Sequence, residues 1–98
     1  MSERSVIVND ALGRFEITLD GHTAYLTFRR NGHVLVLIHT EVPSSLEGRG
    51  VGSTVVRGAL DYARDNGLTV VPECEFARSF IERHPDETAG ITLELPSV

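Results

Sequence analysis

A glycine-rich stretch between an apolar segment and a helical pattern constrains the fold of this chain most strongly. Residues 34–42 are apolar on both strand faces as far as Ile38, which predicts a central β-strand. Glycines follow at positions 48, 50 and 52. After Gly50, small apolar residues recur every four positions, as an amphipathic helix requires, at Val51, Val55, Ala59 and Ala63. This order predicts a strand that turns tightly into a helix.

A second strand is predicted directly after this helix. Asn66-Gly67 supplies a helix stop, and residues 68–71 form a short β-branched segment. Two strands separated by one helix predict a parallel pair. Pro72 ends the second strand, and residues 75–84 predict a second helix whose apolar positions are Phe76, Phe80 and Ile81.

Short strands joined by turns precede the glycine-rich stretch. Residues 5–8 are β-prone, and apolar residues alternate with polar ones from Arg14 to Leu19, as in a half-buried strand. After an Asp-Gly turn, residues 23–28 are again β-prone, and Asn31-Gly32 favours a two-residue hairpin. We therefore expect an antiparallel meander. The tail, residues 91–95, either adds an edge strand or stays loose.

Length and composition predict one domain over residues 1–98, with a core at about residues 5–86 and a C-terminal tail at 87–98. The formal charge of −5 argues against nucleic acid, because binding by counterion release needs clustered Lys and Arg. The longest apolar run, residues 34–38, is too short to cross a bilayer. The single cysteine, Cys74, cannot form an internal disulfide and no secretory signal opens the chain, so we expect a cytoplasmic protein.

The three glycines suit a phosphate site, because backbone without Cβ atoms can turn tightly and present successive N–H groups to an anion at a helix N-terminus. A nucleotide P-loop does not fit: Glu47 stands where its first glycine belongs, and no lysine follows Gly52. The dinucleotide fingerprint fails as well, since its third glycine would fall at Ser53. Spacing alone leaves two interpretations open, a phosphate cradle and a merely tight connection.

Several segments in order carry a more specific signal than the glycines alone. Glu47-x-x-Gly50-x-Gly52 is similar to a Gln/Arg-x-x-Gly-x-Gly/Ala loop, with Glu in its first position. The other segments are His39-Thr40-Glu41-Val42-Pro43, Leu60-Asp61-Tyr62-Ala63, Val70-Val71-Pro72, Cys74 and Ile81-Glu82-Arg83-His84-Pro85. Together they resemble the small stand-alone members of the GNAT (Gcn5-related) N-acetyltransferase superfamily. The resemblance covers about residues 15–86.

The resemblance implies an α+β fold, with a GNAT-like mixed, mostly antiparallel sheet and two main helices. It also implies that the parallel strands splay apart at His39 and Val71, opening a cleft for the pantetheine arm of the co-substrate, acetyl-coenzyme A (acetyl-CoA). Backbone at the helix start would hold the pyrophosphate, with added charge from Arg49 or Arg57. The cofactor-binding residues implied are Val42, Glu47, Gly48, Arg49, Gly50, Val51, Gly52 and Ser53.

Acetyl transfer to an amine needs a base, a polarised carbonyl and a proton for the leaving thiolate. His39 and Glu41 share one face of the predicted central strand and are candidate bases; a packed histidine and a solvated strand end are the alternatives. Cys74 begins the second helix, where the dipole favours thiolate while Glu73 and Glu75 oppose it. It is a candidate acetyl acceptor or a buried, inert thiol.

Two departures from the family pattern bear on turnover. Phe80 stands near the position where relatives carry a tyrosine that protonates the thiolate, so Cys74 or water would have to substitute. Helices that bind the acceptor in other GNAT proteins are missing between the first strands. The leading hypothesis is an N-acetyltransferase acting on an unidentified amine, and the alternative is a non-catalytic acyl-CoA binding or regulatory module. A protein-interaction domain is a third class, and no metal is predicted, because the four histidines show no metal-ligand spacing.

Overall fold

Strands dominate the first half of the chain, and helices alternate with strands in the second. The structure, a computed structural model, describes residues 5–95. Its strands are β1 (Ile7–Asn9), β2 (Arg14–Leu19), β3 (His22–Asn31), β4 (Val34–Glu41), β5 (Thr69–Pro72) and β6 (Thr92–Leu93). Its α-helices are α1 (Val51–Asp65) and α2 (Glu75–Arg83), and short 3₁₀ helices lie at Ser44–Leu46 and Pro85–Thr88. The strands and α-helices agree with the predicted ones to within two residues at each boundary, except that β3 ends three residues later than predicted, and the two 3₁₀ helices were not predicted.

All six strands form one sheet whose spatial order follows chain order, from β1 to β6. The first four strands are antiparallel neighbours, whereas β4, β5 and β6 run parallel. The mixed sheet and the parallel pair across α1 are therefore confirmed. The tail contributes β6, which pairs with the outer side of β5.

The predicted hairpin between β3 and β4 forms one residue later than expected. Asn31 pairs with Val34, so the loop residues are Gly32 and His33 rather than Asn31 and Gly32. Gly32 has a φ of 63°, and a glycine at the first loop position is typical of a type II′ turn. The Asp-Gly turn between β2 and β3 forms as predicted.

Core side chains of the sheet project to a single face, where both helices pack in one shared cluster. The four-residue stripe of α1 is confirmed, because Val51, Val55, Ala59 and Ala63 are each at most 1% exposed. Phe80 of α2 joins the same cluster and is fully buried. The sheet residues of the cluster are Phe15, Ile17, Ala24, Leu26, Leu35, Leu37 and Val70. The opposite face of the sheet carries no helix among residues 5–95.

A β-bulge changes which side chains of β4 face the helices. Phe28 pairs with Leu37 and Thr27 pairs with His39, so Ile38 is an extra residue on β4. Before the bulge the strand buries Leu37, and after it both Ile38 and His39 are exposed. The prediction of a central strand is confirmed, but Ile38 is 36% exposed and does not extend the buried part of that strand.

The parallel pair separates at one end. β4 and β5 pair from Val34 with Thr69 to Leu37 with Pro72, and β4 then continues to Glu41 without a partner on that side. The chain leaves β5 at Glu73, whose N–H donates to the carbonyl of Val71 at 3.1 Å. The pair therefore opens beyond Pro72 and not at Val71 as expected, because Val71 still pairs with Val36. The amide of Cys74 also donates to the carbonyl of Leu37 at 2.8 Å, and the opening lies past this bond, between β4 and the start of α2.

Candidate functional site

A cleft of about 530 Å³ lies where the end of β4, the glycine-rich loop and the helices α1 and α2 meet. The loop reaches this point because β4 ends at Glu41 and the chain crosses to α1 through one 3₁₀ turn. Its lining residues are Thr40, Glu41, Val42, Leu46, Glu47, Gly48, Gly50, Val51, Gly52, Ser53, Phe76 and Arg83. The cleft thus brings together seven of the eight predicted cofactor-binding residues, Arg49 being the exception.

Backbone amides of the glycine-rich loop are available to a ligand. Within residues 5–95, no amide from Gly48 to Ser53 donates a well-formed hydrogen bond to another part of the protein. The first bond of α1 runs from the amide of Thr54 to the carbonyl of Gly50 at 3.1 Å. A helix start with unpaired N–H groups carries the positive end of the helix dipole and attracts anions.

The conformation of Gly50 begins the helix. Gly50 is the N-cap of α1 with a φ of 72°, a left-handed conformation that glycine adopts without cost, and no side chain caps this end of the helix. An Asp, Ser or Thr at an N-cap would occupy the amides that follow with its own side chain. The sequence instead leaves those amides open toward the cleft.

Gly52 permits a close approach of three elements. A Cβ atom at this position would lie 2.8 Å from Phe76 Cζ and 3.4 Å from Val42 Cγ2. Phe76 on α2 and Val42 after β4 both line the cleft. The absence of a side chain at Gly52 therefore lets the ring of Phe76 pack directly on the first turn of α1.

The two arginines predicted to add positive charge point away from the cleft. Arg49 Nη1 lies 3.0 Å from Asp20 Oδ2, in the turn between β2 and β3. Arg57 Nε lies 3.1 Å from Glu87 Oε1. Neither side chain lines the cleft. Of the loop residues predicted to bind the cofactor, Arg49 can do so only through its backbone.

Four residues of the cleft were not predicted as site residues, and two of them come from α2; the four are Thr40, Leu46, Phe76 and Arg83. Phe76 and Arg83 lie seven positions apart on α2, a spacing that places them on one helix face, and both line the cleft. The interval is present in the sequence, but the sequence pattern indicated Phe76 only as an apolar position of the helix and gave Arg83 no role in the site. Phe76 is in fact 38% exposed.

Cys74 lies at the bottom of a second, neighbouring cavity of about 390 Å³. It is 4% exposed and is the N-cap of α2, where its Sγ accepts a hydrogen bond from the amide of Ala77 at 3.5 Å. Thr40 Oγ1 lies 3.2 Å from the same sulfur. Thr40 and Phe76 line both this cavity and the cleft, so the thiol is separated from the cleft by one layer of side chains.

The candidate bases contact each other at the end of β4. His39 Nε2 lies 2.8 Å from Glu41 Oε2, and the two side chains are 62% and 55% exposed. Because of the bulge at Ile38, they lie on the sheet face opposite the helices. Glu41 lines the cleft and His39 lines the cavity of Cys74, so the pair bridges the two spaces.

Phe80 contributes no group to the cleft. Its ring is fully buried, with the imidazole of His84 at 4.7 Å between ring centroids and the guanidinium carbon of Arg57 at 5.1 Å from its centre. Within residues 5–95, no group of three or more His, Cys, Asp or Glu side chains is placed to hold a metal ion. No helix in the same range has the length and hydrophobicity needed to span a membrane.

Comparison with known proteins assigns this geometry to a family. The model of the GCN5-related N-acetyltransferase family matches residues 14–90, which include both helices, the glycine-rich loop and β2 to β5. The chain belongs to the GCN5-related N-acetyltransferase family. The predicted superfamily is thereby confirmed.

Relatives and a solved structure agree with this assignment. Protein NATD1 of Bos taurus is 31% identical over 75 residues, which is 74% of this chain and 66% of the bovine protein. Protein NATD1 of Homo sapiens is 29% identical over 75 residues, again 74% of this chain and 66% of the human protein. The chain therefore spans about two thirds of these relatives. The solution structure of a GCN5-like protein from Staphylococcus aureus superposes with a TM-score of 0.70 at 24% identity, covering 99% of this chain and 94% of that one, which confirms the fold.

Proposed function

We propose that the protein binds acetyl-CoA in the cleft and transfers its acetyl group to an amine. The observation that carries the proposal is the row of unpaired amides from Gly48 to Ser53, which opens into the cleft at the start of α1. Pyrophosphate is the part of CoA that such a helix start recognises. The open end of the β4 and β5 pair provides unpaired strand backbone beside which an extended pantetheine arm would lie.

The candidate bases fit the chemistry of transfer. In this proposal, the carboxylate of Glu41 takes a proton from the acceptor ammonium, directly or through His39, and the free amine attacks the thioester carbonyl. A nitrogen–carbon bond forms, the attacking nitrogen loses its second proton to water, the carbon–sulfur bond breaks, and the CoA thiolate takes up a proton. Phe80 has no hydroxyl, so Cys74 or a water molecule donates that proton.

Binding is tested by calorimetric titration with acetyl-CoA. We expect saturable binding to the wild-type protein and none to Gly50→Glu, because a carboxylate beside the open amides repels phosphate and competes for their hydrogen bonds. Gly67→Glu is the matched control: Gly67 has a φ of 63° and Gly50 one of 72°, and a Cβ at either position meets nothing within 4 Å. Both variants carry the same backbone strain and charge. Failure of the wild-type protein to bind at millimolar acetyl-CoA would reject the proposal.

Turnover is tested separately, with a panel of amines and detection of free CoA thiol. Glu41→Gln should reduce the transfer rate while leaving acetyl-CoA affinity near that of the wild type. His22→Gln, a change at the exposed first residue of β3, should alter neither. Binding without transfer to any amine would favour the alternative, a non-catalytic acyl-CoA binding module, which the buried Phe80 also favours.

The role of Cys74 is tested by mass spectrometry after incubation with acetyl-CoA. Transfer of acetyl from the CoA sulfur to Cys74 Sγ would form a protein thioester, with the cysteine proton passing to the CoA thiolate. An added acetyl group that is absent in Cys74→Ser would assign the thiol a covalent role. An unmodified thiol would leave Cys74 as a proton donor or as a packed residue bonded to Thr40.

A further inference from the structure

One cation lines the cleft on the side opposite the glycine-rich loop. Arg83 lies in the last turn of α2, is exposed, and shares the cleft lining with Gly50 and Ser53. Its Nε donates to the carbonyl of Ser79 at 3.3 Å. It forms no ion pair with any residue of the described range 5–95, so its terminal nitrogens are available to a ligand.

The arginines that form ion pairs differ from Arg83 in their position. Each of them contacts a carboxylate at 3.1 Å or less, and none lines the cleft; the pairs are Arg14 with Glu16, Arg49 with Asp20, Arg57 with Glu87 and Arg64 with Asp61. Arginine is the side chain best suited to phosphate, because its planar guanidinium donates two parallel hydrogen bonds. In an acidic chain, an arginine that faces a cleft without a carboxylate partner points to an anionic ligand.

The position of Arg83 along α2 indicates which part of the ligand it meets. Cys74 and Thr40 mark the end of the site where the thioester would lie, and Arg83 follows Cys74 by nine residues, or roughly 13 Å of helix. Arg83 is thus far from the acyl end and lines the same cleft as the loop where phosphate is expected. The geometry points to Arg83 as the side chain that binds a phosphate group of CoA across the cleft from the glycine-rich loop. This inference rests on the proposed function and adds to it the residue that selects CoA over unphosphorylated pantetheine.

The test is calorimetric titration of the full chain with CoA, 3′-dephospho-CoA and pantetheine. Arg83→Ala should weaken CoA binding by about tenfold, the usual size of one charge-assisted contact at a partly exposed site, and leave pantetheine binding unchanged. Arg83→Lys should recover part of the loss. The matched control is Arg78→Ala, since Arg78 lies on the same helix but lines a separate groove with Glu75 and Glu82 and not the cleft.

The outcomes separate this inference from the proposed function. If Arg83→Ala loses equal affinity for CoA and 3′-dephospho-CoA, Arg83 binds the diphosphate. If it loses affinity for CoA alone, Arg83 binds the ribose phosphate. Either result supports the inference. Three results would overturn the inference while the proposed function stands. They are wild-type affinity of Arg83→Ala for CoA, an equal loss of pantetheine affinity in Arg83→Ala, and an equal loss of CoA affinity in Arg78→Ala. Absence of CoA binding by the wild-type protein would instead reject the proposed function, and this inference with it.

Discussion

Replacing Gly52 by alanine adds a single methyl group to the lining of the cleft, against the ring of Phe76. The new Cβ would lie 2.8 Å from Phe76 Cζ and 3.1 Å from Phe76 Cε1. Because carbon atoms in ordinary contact are about 3.5–4.0 Å apart, the ring of Phe76 must move by roughly 0.7 Å or more. Gly52, Phe76 and Val42 all line the cleft, so both the methyl group and the displaced ring narrow it.

The fold should tolerate this change. Gly52 lies inside α1, where alanine in place of glycine stabilises the helix by about 0.5–1 kcal/mol. Phe76 is 38% exposed and can move toward solvent, which keeps the cost of overpacking near the low end of about 1–3 kcal/mol. The two effects oppose each other, so we expect the free energy of unfolding to change by less than about 1 kcal/mol and Tm by less than about 8 °C.

Calorimetric titration and thermal unfolding of the same preparation check both expectations. Gly52→Ala should bind acetyl-CoA about tenfold more weakly, because the ligand must restore the displaced ring against a clash of about 1 kcal/mol or more. In a Phe76→Ala background, where no ring meets the methyl group, Gly52→Ala should reduce acetyl-CoA affinity by a smaller factor. Wild-type affinity in Gly52→Ala, or an undiminished loss in the Phe76→Ala background, would refute the reasoning.

Three further substitutions test other parts of the site and the core. Glu47→Gln removes a negative charge from the cleft lining, so CoA affinity should rise several-fold in titrations at low salt and less at high salt, an effect of about 1 kcal/mol; unchanged affinity would place phosphate away from Glu47. Arg49→Ala breaks only an exposed ion pair with Asp20, so its effect on CoA affinity should be smaller than that of Arg83→Ala, and a larger loss would restore the side chain to the site. Phe80→Ala removes a fully buried ring and should lower the free energy of unfolding by about 3–5 kcal/mol in denaturant titrations, whereas a loss below about 1 kcal/mol would contradict the described packing.

Local patterns were sufficient to predict most elements of the fold. The four-residue stripe of α1 and the alternation in β2 are periodicities that burial on one face imposes on any sequence. The turn residues predicted the position of the hairpin loop less exactly. Asn31-Gly32 identified the hairpin, but Asn31 lies in the strand and pairs with Val34, because pairing register is set by the whole length of β3 and β4 rather than by one dipeptide.

The candidate site was only partly predictable, for a physical reason. The glycine-rich loop is a continuous segment, so its sequence alone indicated an anion site at a helix start. Phe76 and Arg83 reach the cleft only because α2 packs against the first turn of α1, and no local pattern encodes that contact. The contact of His39 with Glu41 was implied by their spacing. The burial of Cys74 beside Thr40 depends instead on how the start of α2 packs against the end of β4.

The extra residue in β4 marks a position at which the strand can lose one residue and keep its pattern of inward and outward side chains. Leu37 packs in the core and His39 faces outward, with Ile38 inserted between them. Deleting Ile38 would remove the bulge and keep the later side chains on their present faces, because ordinary alternation after Leu37 places His39 and Glu41 outward and Thr40 toward Cys74. Deletion of Ile38 should therefore be tolerated far better than deletion of Thr40, which would bring Glu41 to the inward position opposite Leu26.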